Sequence, residues 1–247
     1  MKRSLSLILS LTMAVVSHAQ ETAPAFTPNI SIKWAPTGLV VGSLSLQGEY
    51  RFDRKHSLTA KIGIPVNAKH SFDYQGDNAD FDMKATSFLA GFRNYLSRKR
   101  EMRGLYLEPF FSYVHHSAEG IANSTLNGKP VQWNFTNDYN AFGVGAQLGA
   151  QFFVGKRFVI DLFFLGPEIN SASNNFKAVD VSANNAIPWT FVESSEAEKD
   201  IRDFINQFPF VKNKVNVKVD NMSKTVAADF KGALPGLRAG VSIGFAF

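Results

Sequence analysis

The sequence ends with LRAGVSIGFAF from Leu237 to Phe247, and this stretch decides the fold. Its alternate residues are apolar, and the residues between them are small or polar. Neighbouring residues of an extended chain point to opposite faces, so the pattern predicts a strand with one apolar and one small or polar face. Such a two-faced strand at the end of a chain favours a sheet whose apolar face meets lipid.

Seven other segments of the chain also read as extended. With the last segment they are 30–35, 43–52, 57–65, 85–96, 105–116, 140–154, 158–169 and 234–247. Short connections at 53–56, 98–104 and 155–157 alternate with long ones at 66–84, 117–139 and 170–233; the first connection, 36–42, is brief. Short turns at one rim and long loops at the other predict an all-β, up-and-down antiparallel transmembrane β-barrel of about eight strands.

The composition agrees with a barrel that crosses a membrane with strands. Mean hydropathy is -0.08 and hydrophobic residues make up 45%, and no apolar run after residue 19 is long enough for a helical span. There are no cysteines, so we expect neither disulfides nor a lipidated cysteine. The net charge of +5 is too small to indicate a nucleic-acid partner.

Residues 1–19 have the three-part pattern of a secretory signal peptide. A basic tip at Lys2 and Arg3 precedes an apolar stretch, and small residues end the segment at Ala19. We expect cleavage after Ala19, leaving residues 20–247 as a multi-pass barrel in the cell outer membrane.

The alternation also predicts which charged residues face the barrel interior. If the apolar faces point outward, the inward charges are Lys33, Glu49, Arg51, Lys61, Arg93, Glu108, Asp161 and Arg238. We interpret them as an ion-pair network that fills a narrow barrel. Buried ionisable groups also mark functional sites, so a small pore or a proton path is the alternative interpretation.

A weak catalytic candidate lies at the outer end of the fifth segment. His115 and Ser117 are two residues apart, which places them on one face of a strand, and Glu119 follows. A histidine that takes a proton from serine is a route to a nucleophilic hydroxyl. The pair resembles that of the lipid A deacylases, although the surrounding signature of that family is absent. Polar residues at a membrane interface are the simpler interpretation. No metal-binding or phosphate-binding motif is present, and we expect no cofactor.

The connection 170–233 is too long for a simple turn. Ser195 and Glu198 fit a capping box before a helical pattern that Pro209 ends, which predicts a short helix near 195–208. Its apolar stripe is Ile201, Phe204, Ile205 and Phe208. Alternating valines from Val215 and the return at 225–230 predict a hairpin. We expect this extracellular loop to pack on the barrel mouth or to bind an external partner.

The chain resembles the small outer-membrane barrels of the OmpA-transmembrane-domain and OmpX type from Gram-negative bacteria. The motifs that carry the resemblance are NISIKW from Asn29, QGEY from Gln47, GFRNY from Gly91 and the terminal phenylalanine strand. The resemblance implies that Gly240, Ile243, Phe245 and Phe247 form a signal for the barrel-insertion machinery. Such signal strands have a Gly five residues before the final Phe, and Ser242 occupies that position here. The pattern fits better when it is counted from Phe245, because Gly240 is then the expected Gly.

The predicted function is therefore that of a non-enzymatic outer-membrane protein with a structural or surface-interaction role. The expected partners are outer-membrane lipid, the insertion machinery and a surface partner of residues 170–233, without nucleic acid. The alternatives are a lipid A acyl hydrolase that uses His115 and Ser117, and a small passive channel.

Overall fold

Eight strands of the chain form a closed ring. The computed structural model describes residues 28–74, 77–97, 102–182, 187–207, 209–212 and 214–247. The predicted signal peptide, 1–19, lies outside these residues. The strands are β1 (Ile30–Ala35), β2 (Ser43–Arg51), β3 (His56–Pro65), β4 (Ala68–Tyr74), β5 (Asp77–Tyr95), β6 (Gly104–Leu126), β7 (Lys129–Val154), β8 (Phe158–Asp180), β9 (Val215–Asp220) and β10 (Thr225–Ala246).

The ring follows the order β1-β2-β3-β5-β6-β7-β8-β10, and β10 returns to β1. All of these neighbours are antiparallel, and the closure pairs Trp34 with Ile243 and Ser31 with Ala246. The predicted eight-stranded, up-and-down antiparallel barrel is confirmed. We call the rim at which β1 begins and β10 ends the short-turn end. The opposite rim is the extended end.

The outward face of every ring strand carries exposed apolar side chains near the short-turn end. One from each strand, in ring order, is Ile32, Leu46, Ile62, Phe88, Leu107, Val144, Phe164 and Phe245. Their alternation with inward residues is what period-2 strand geometry requires. The result is a continuous apolar belt around the barrel.

Beyond the belt the strands continue much further than the sequence indicates. The predicted loop 117–139 is wrong: β6 runs to Leu126, β7 begins at Lys129, and Asn127 and Gly128 form the turn with positive φ. The predicted loop 66–84 is likewise strand, because β4 pairs with the first half of β5. β8 continues to Asp180 and β10 begins at Thr225, so the remaining connection is 181–224. The barrel wall therefore rises well above the belt.

The connection after β8 contains a helix and a hairpin, as predicted. The helix, α1 (Phe191–Asn206), starts earlier than expected. Its capping box is formed by Thr190 and Glu193, not by Ser195 and Glu198: each side chain accepts a hydrogen bond from the backbone N–H of the other residue. These bonds and Lys129 lower the pKa of Glu193 to about 2. In the hairpin, β9 pairs with 225–230 of β10.

Helix α1 packs against the inward face of the extended wall. Ala197, Ile201 and Ile205 contact an apolar cluster that Leu126, Val131, Trp133, Trp189, Val217, Val226 and Ala228 form. The side chain of Phe204 and residue Phe208, both assigned to the helix stripe, lie outside what the structure describes. The helix therefore covers the barrel at its extended end. Within the described ranges, no helix has both the length and the apolar character needed to cross a membrane.

A β-bulge in β8 changes which residues face inward. β8 has one extra residue relative to both neighbouring strands. The extra residue lies opposite the step from Leu148 to Gly149 in β7 and the step from Arg238 to Gly240 in β10. Phe164 and Leu165 are both exposed at this point. Because a one-residue insertion exchanges the two faces, even-numbered residues of β8 point inward beyond the bulge.

Candidate functional site

Five charged side chains meet in the centre of the barrel. Lys33 lies on β1, Glu49 on β2, Arg93 on β5, Glu108 on β6 and Asp161 on β8, and each is at most 2% exposed. We call this group the central ion cluster. The Nζ atom of Lys33 is 2.8 Å from Glu49 Oε2 and 2.7 Å from Asp161 Oδ2.

Arg93 is the centre of this cluster. Its Nη2 atom lies 2.7 Å from Glu108 Oε2, and its Nη1 atom lies 2.9 Å from Asp161 Oδ2 and 3.2 Å from Glu49 Oε2. The three carboxylates thus share two cations. A buried charge is tolerated only with close partners that also satisfy its hydrogen bonds, and this arrangement supplies them.

Neutral side chains complete the hydrogen bonding of the central ion cluster. These side chains are not identified in the sequence analysis. Tyr95 donates its hydroxyl to Glu49 Oε1 at 2.6 Å, and Tyr106 donates to Asp161 Oδ1 at 2.6 Å. Gln151 Oε1 accepts from both Lys33 and Arg93. These residues lie on the same inward face as the charges, so the alternation that locates the charges also locates them.

The other predicted interior charges lie outside the central ion cluster. Arg51 is at the short-turn end, where its guanidinium donates to the Pro28 carbonyl oxygen and to Asn29. Lys61 lies with Nζ 5.6 Å from the centroid of the Phe163 ring. Arg238 lies 3.5 Å from Glu168 Oε2 and above the ring of Phe110.

Glu168 is an interior charge that the sequence pattern does not reveal. Strict alternation from Asp161 puts Glu168 outside, and the bulge at Phe164 and Leu165 turns it inward. Ser112 donates to its carboxylate at 3.4 Å, in addition to the contact with Arg238. Glu168 thus joins Glu49, Glu108 and Asp161 as a carboxylate of the barrel interior, where it lies beside Arg238.

The short-turn end of the interior is closed by apolar side chains. Met102, from the connection between β5 and β6, is fully buried with Tyr95, Tyr106, Phe153, Val159 and Ala246. Its carbonyl oxygen accepts a hydrogen bond from Gln151 Nε2 at 2.9 Å. This contact ties the apolar closure to the central ion cluster.

The extended end is fixed by a polar contact beside α1. Asp180 accepts hydrogen bonds from Trp189 Nε1 at 3.1 Å and from the Ser182 N–H at 2.9 Å, and Lys224 Nζ lies 3.7 Å away. Burial alone raises the pKa of the Asp180 carboxyl, but these bonds and the Lys224 charge outweigh it and hold the pKa below its usual value.

The proposed catalytic residues do not form a proton-transfer pair. His115 Nδ1 lies 2.9 Å from Asn140 Oδ1 and 3.8 Å from Asp138. In the described part of the chain, no hydrogen bond joins His115 to Ser117, and Glu119 contacts neither through one. All three side chains lie on the outward face of β6. Nucleophilic activation requires hydroxyl and base within hydrogen-bond distance, which this geometry does not provide.

The residues of the proposed insertion signal lie on the closing strand. Ile243 pairs with Trp34 of β1, and the ring of Phe245 contacts Phe158 edge-on at 5.6 Å. Phe247 is exposed. A Cβ at Gly240 would lie 2.6 Å from the Phe163 ring, so glycine is needed there for close packing. Their role as a signal stays a prediction.

Within the described ranges, no group of three or more histidine or acidic residues could hold a metal ion. The ring of eight strands and the central ion cluster define a closed β-barrel with a charged, buried centre.

Comparison with known proteins gives a distant structural likeness. The chain is similar to the crystal structure of Acinetobacter baumannii CarO, at 10% identity and a TM-score of 0.44, covering 91% of this chain and 100% of that chain. For Acinetobacter baumannii CarO2 the values are 12%, 0.45, 90% and 99%. These scores are too low to carry a functional inference. No protein-family model matches, and no curated protein matches. The resemblance to the OmpA and OmpX type stays a prediction.

Proposed function

We propose that this chain is a non-enzymatic outer-membrane barrel that does not conduct and that holds a structured surface above the membrane. The observation that carries the proposal is the central ion cluster. Side chains from five strands meet there with exposures of at most 2%, so water has no access to them. A barrel of about eight strands has an interior just wide enough for its own side chains.

Two other features support the membrane part of the proposal. The apolar belt continues around all eight ring strands, which is the surface that lipid chains require. Beyond it, the outward face becomes polar while the inward face packs α1, as expected for a wall that leaves lipid and enters water. The short turns then belong to the periplasmic side and the extended end to the cell exterior.

Heat-dependent gel mobility and conductance test the proposal together. We expect the protein in the outer-membrane fraction to migrate differently before and after boiling, because a closed barrel resists detergent. In a planar bilayer we expect no discrete current steps. Steps in the wild-type barrel would contradict the closed interior, and a single mobility in a soluble fraction would contradict the membrane barrel.

Cysteine labelling tests the orientation. The natural chain has no cysteine, so a single introduced thiol is the only target of a membrane-impermeant maleimide. Met222 is 78% exposed in the β9–β10 turn, and Lys156 is exposed in the turn between β7 and β8. On intact cells, Met222→Cys should react and Lys156→Cys should react only after the membrane is opened. The reverse pattern would contradict the orientation.

The acyl composition of lipid A tests the enzymatic alternative. Since His115 and Ser117 are not joined, we expect identical lipid A mass spectra from cells that carry the wild type, His115→Ala or no protein. An acyl loss that depends on His115 would contradict a non-enzymatic role.

A further inference from the structure

Two depressions lie one above the other on the outward face of the barrel wall. The lower one, about 320 Å³, is lined by apolar side chains of the belt: Phe111, Phe142, Val144, Ile169 and Ala233. The upper one, also about 320 Å³, is lined by polar side chains of β5, β6 and β7: Asp82, Lys84, Ser117, Glu119, Thr136 and Asp138. The lower depression extends over β6, β7, β8 and β10 and the upper one over β5, β6 and β7, so β6 and β7 carry both.

Their spacing fits one amphipathic molecule. Phe142 and Asp138 lie four residues apart on β7, which corresponds to about 13 Å along a strand. Tyr113 lies beside Phe142 at the boundary, with ring centroids 4.7 Å apart, and directs its hydroxyl to Asn140. Tyrosine is characteristic of the interface between lipid chains and headgroups. The lower depression therefore lies at the level of acyl chains and the upper one at the level of headgroups.

The polar depression offers hydrogen-bonding groups that the protein itself does not use. Among the described residues, the side chains of Asp82, Lys84, Ser117, Glu119 and Thr136 have no hydrogen bond or ion pair with another group of the chain. Asp138 accepts from Asn140 Nδ2 at 2.8 Å and retains further acceptor capacity. Unused donors and acceptors that converge on a concave surface are the usual features of a ligand site.

The charges in the upper depression select the kind of headgroup. The lining has three carboxylates, of Asp82, Glu119 and Asp138, and the ammonium of Lys84, with His115 near Asp138. Lys69 and Lys177 flank it, because they pair with Asp82 and Thr136 on the neighbouring strands. The charges at the site nearly balance, but a phosphate is an acceptor like the three carboxylates and cannot donate a hydrogen bond to them. The carboxylates can accept hydrogen bonds from sugar hydroxyls, and Lys84, Ser117 and Thr136 can donate hydrogen bonds to sugar oxygens. A neutral, hydroxyl-rich headgroup satisfies all of these groups.

We propose that the two depressions together bind one glycolipid of the outer leaflet, with an acyl chain in the lower depression and neutral sugar units in the upper one. This assignment rests on the proposed function, because it requires the belt to lie in a membrane. It also gives Ser117 and Glu119 a role in binding instead of catalysis.

Native mass spectrometry of the full barrel in an amine-oxide detergent tests the site. The probes are a diacyl lipid with a neutral dihexose headgroup, phosphatidic acid with the same chains, and the free dihexose. We expect the dihexosyl lipid to bind with a Kd about tenfold lower than phosphatidic acid. Glu119→Gln should raise the Kd for the dihexosyl lipid about tenfold, the effect of losing hydrogen bonds to a charged acceptor. It should at the same time tighten the binding of phosphatidic acid.

Two matched variants on the same outward surface serve as controls. Ser173→Ala on β8 matches Ser117→Ala, and Asp229→Asn on β10 matches Glu119→Gln; neither control residue lines the depressions. Both controls should bind like the wild type, and both site variants should bind the dihexosyl lipid more weakly. Equal affinities for the two lipids, or equal losses in controls and site variants, would overturn the proposal.

Free dihexose that binds as tightly as the lipid would overturn the assignment to a membrane lipid. Each protein is first checked for heat-dependent mobility. Heat-dependent mobility without a preference for the dihexosyl lipid would contradict only the glycolipid site. The absence of heat-dependent mobility would contradict the proposed function.

Discussion

The Nζ atom of Lys33 lies 2.7 Å from Asp161 Oδ2, a contact that joins residues 128 positions apart across the barrel interior. Arg93 contacts the same carboxylate, together with Glu49 and Glu108. Among the described residues, Arg93→Gln would leave Glu49 and Asp161 paired with Lys33 and Glu108 without an ion-pair partner. Removing one partner of a buried ion pair costs about 3–5 kcal/mol. We expect a loss of this size in the free energy of unfolding, measured by urea titration of the refolded barrel in micelles.

Arg202→Gln is the control for that experiment. Arg202 pairs with Glu198 at 2.8 Å on the exposed surface of α1, and exposed pairs contribute about 0–1 kcal/mol. Equal losses for Arg93→Gln and Arg202→Gln would show that the central ion cluster does not stabilise the barrel.

Tyr106 allows the hydrogen bond and the packing to be separated. Its hydroxyl donates to Asp161, and Arg93 Cζ lies 3.7 Å from the centroid of its ring. Tyr106→Phe keeps the ring and leaves the carboxylate short of one donor, which should cost about 1–3 kcal/mol. Tyr106→Ala also removes the ring and should cost about 3–5 kcal/mol. Urea titration gives both values, and equal losses would contradict a contribution from the ring.

The sequence predicts the interior as far as strand alternation remains regular. Lys33 and Arg93 are inward because period 2 and an apolar outer face leave no other register. Glu168 departs from this rule, because an extra residue in β8 has no sequence signal that distinguishes it from ordinary alternation. Pairing partners such as Tyr106 and Asp161 depend on how the ring closes, which no local pattern contains.

The sequence pattern does not predict the extended wall, and the physical reason is a different one. Along β7, Phe142 faces outward in the belt, whereas Trp133 and Val131 face inward against the α1 cluster. The strand continues, but its surroundings change from lipid outside to water outside, so the apolar residues change faces. A search for outward apolar residues therefore ends at Asn140. The Asn127–Gly128 pair is a strong two-residue hairpin signal and would have identified the β6–β7 turn.

Phe247→Ala tests the insertion signal without disturbing the strand closure. The backbone of Phe247 bonds to Asn29 and Ile30, and its side chain is 58% exposed. The substitution therefore removes only a surface ring. We expect less folded protein in the outer membrane, measured as the heat-modifiable band after fractionation, with unchanged urea stability of the barrel that does fold. Phe191→Ala, at an exposed position of α1, is the control. Equal yields for all three proteins would refute a role of Phe247 in insertion.

The contact between Asp180 and the cover formed by α1 should respond to acid. The pKa of Asp180 is lowered in the folded protein, so its stabilisation is complete above the unfolded value of about 3.9 and is lost as the pH falls through the lower folded value. We expect the α1 cover to loosen in that acidic range. The measurement is tryptophan fluorescence of a Trp34→Phe protein, in which Trp133 and Trp189 of the α1 cluster remain.

Asp180→Asn distinguishes this effect from general acid unfolding. Without the charge that Lys224 and the Trp189 N–H stabilise, the cover should already be loosened at neutral pH, and its fluorescence should change little on acidification. Asp203→Asn, at an exposed position of α1, should keep the wild-type acid response because it does not contact the cluster. An unchanged transition in Asp180→Asn would show that another group controls the acid response, and the Asp180 contact would then be only one packing contact among many.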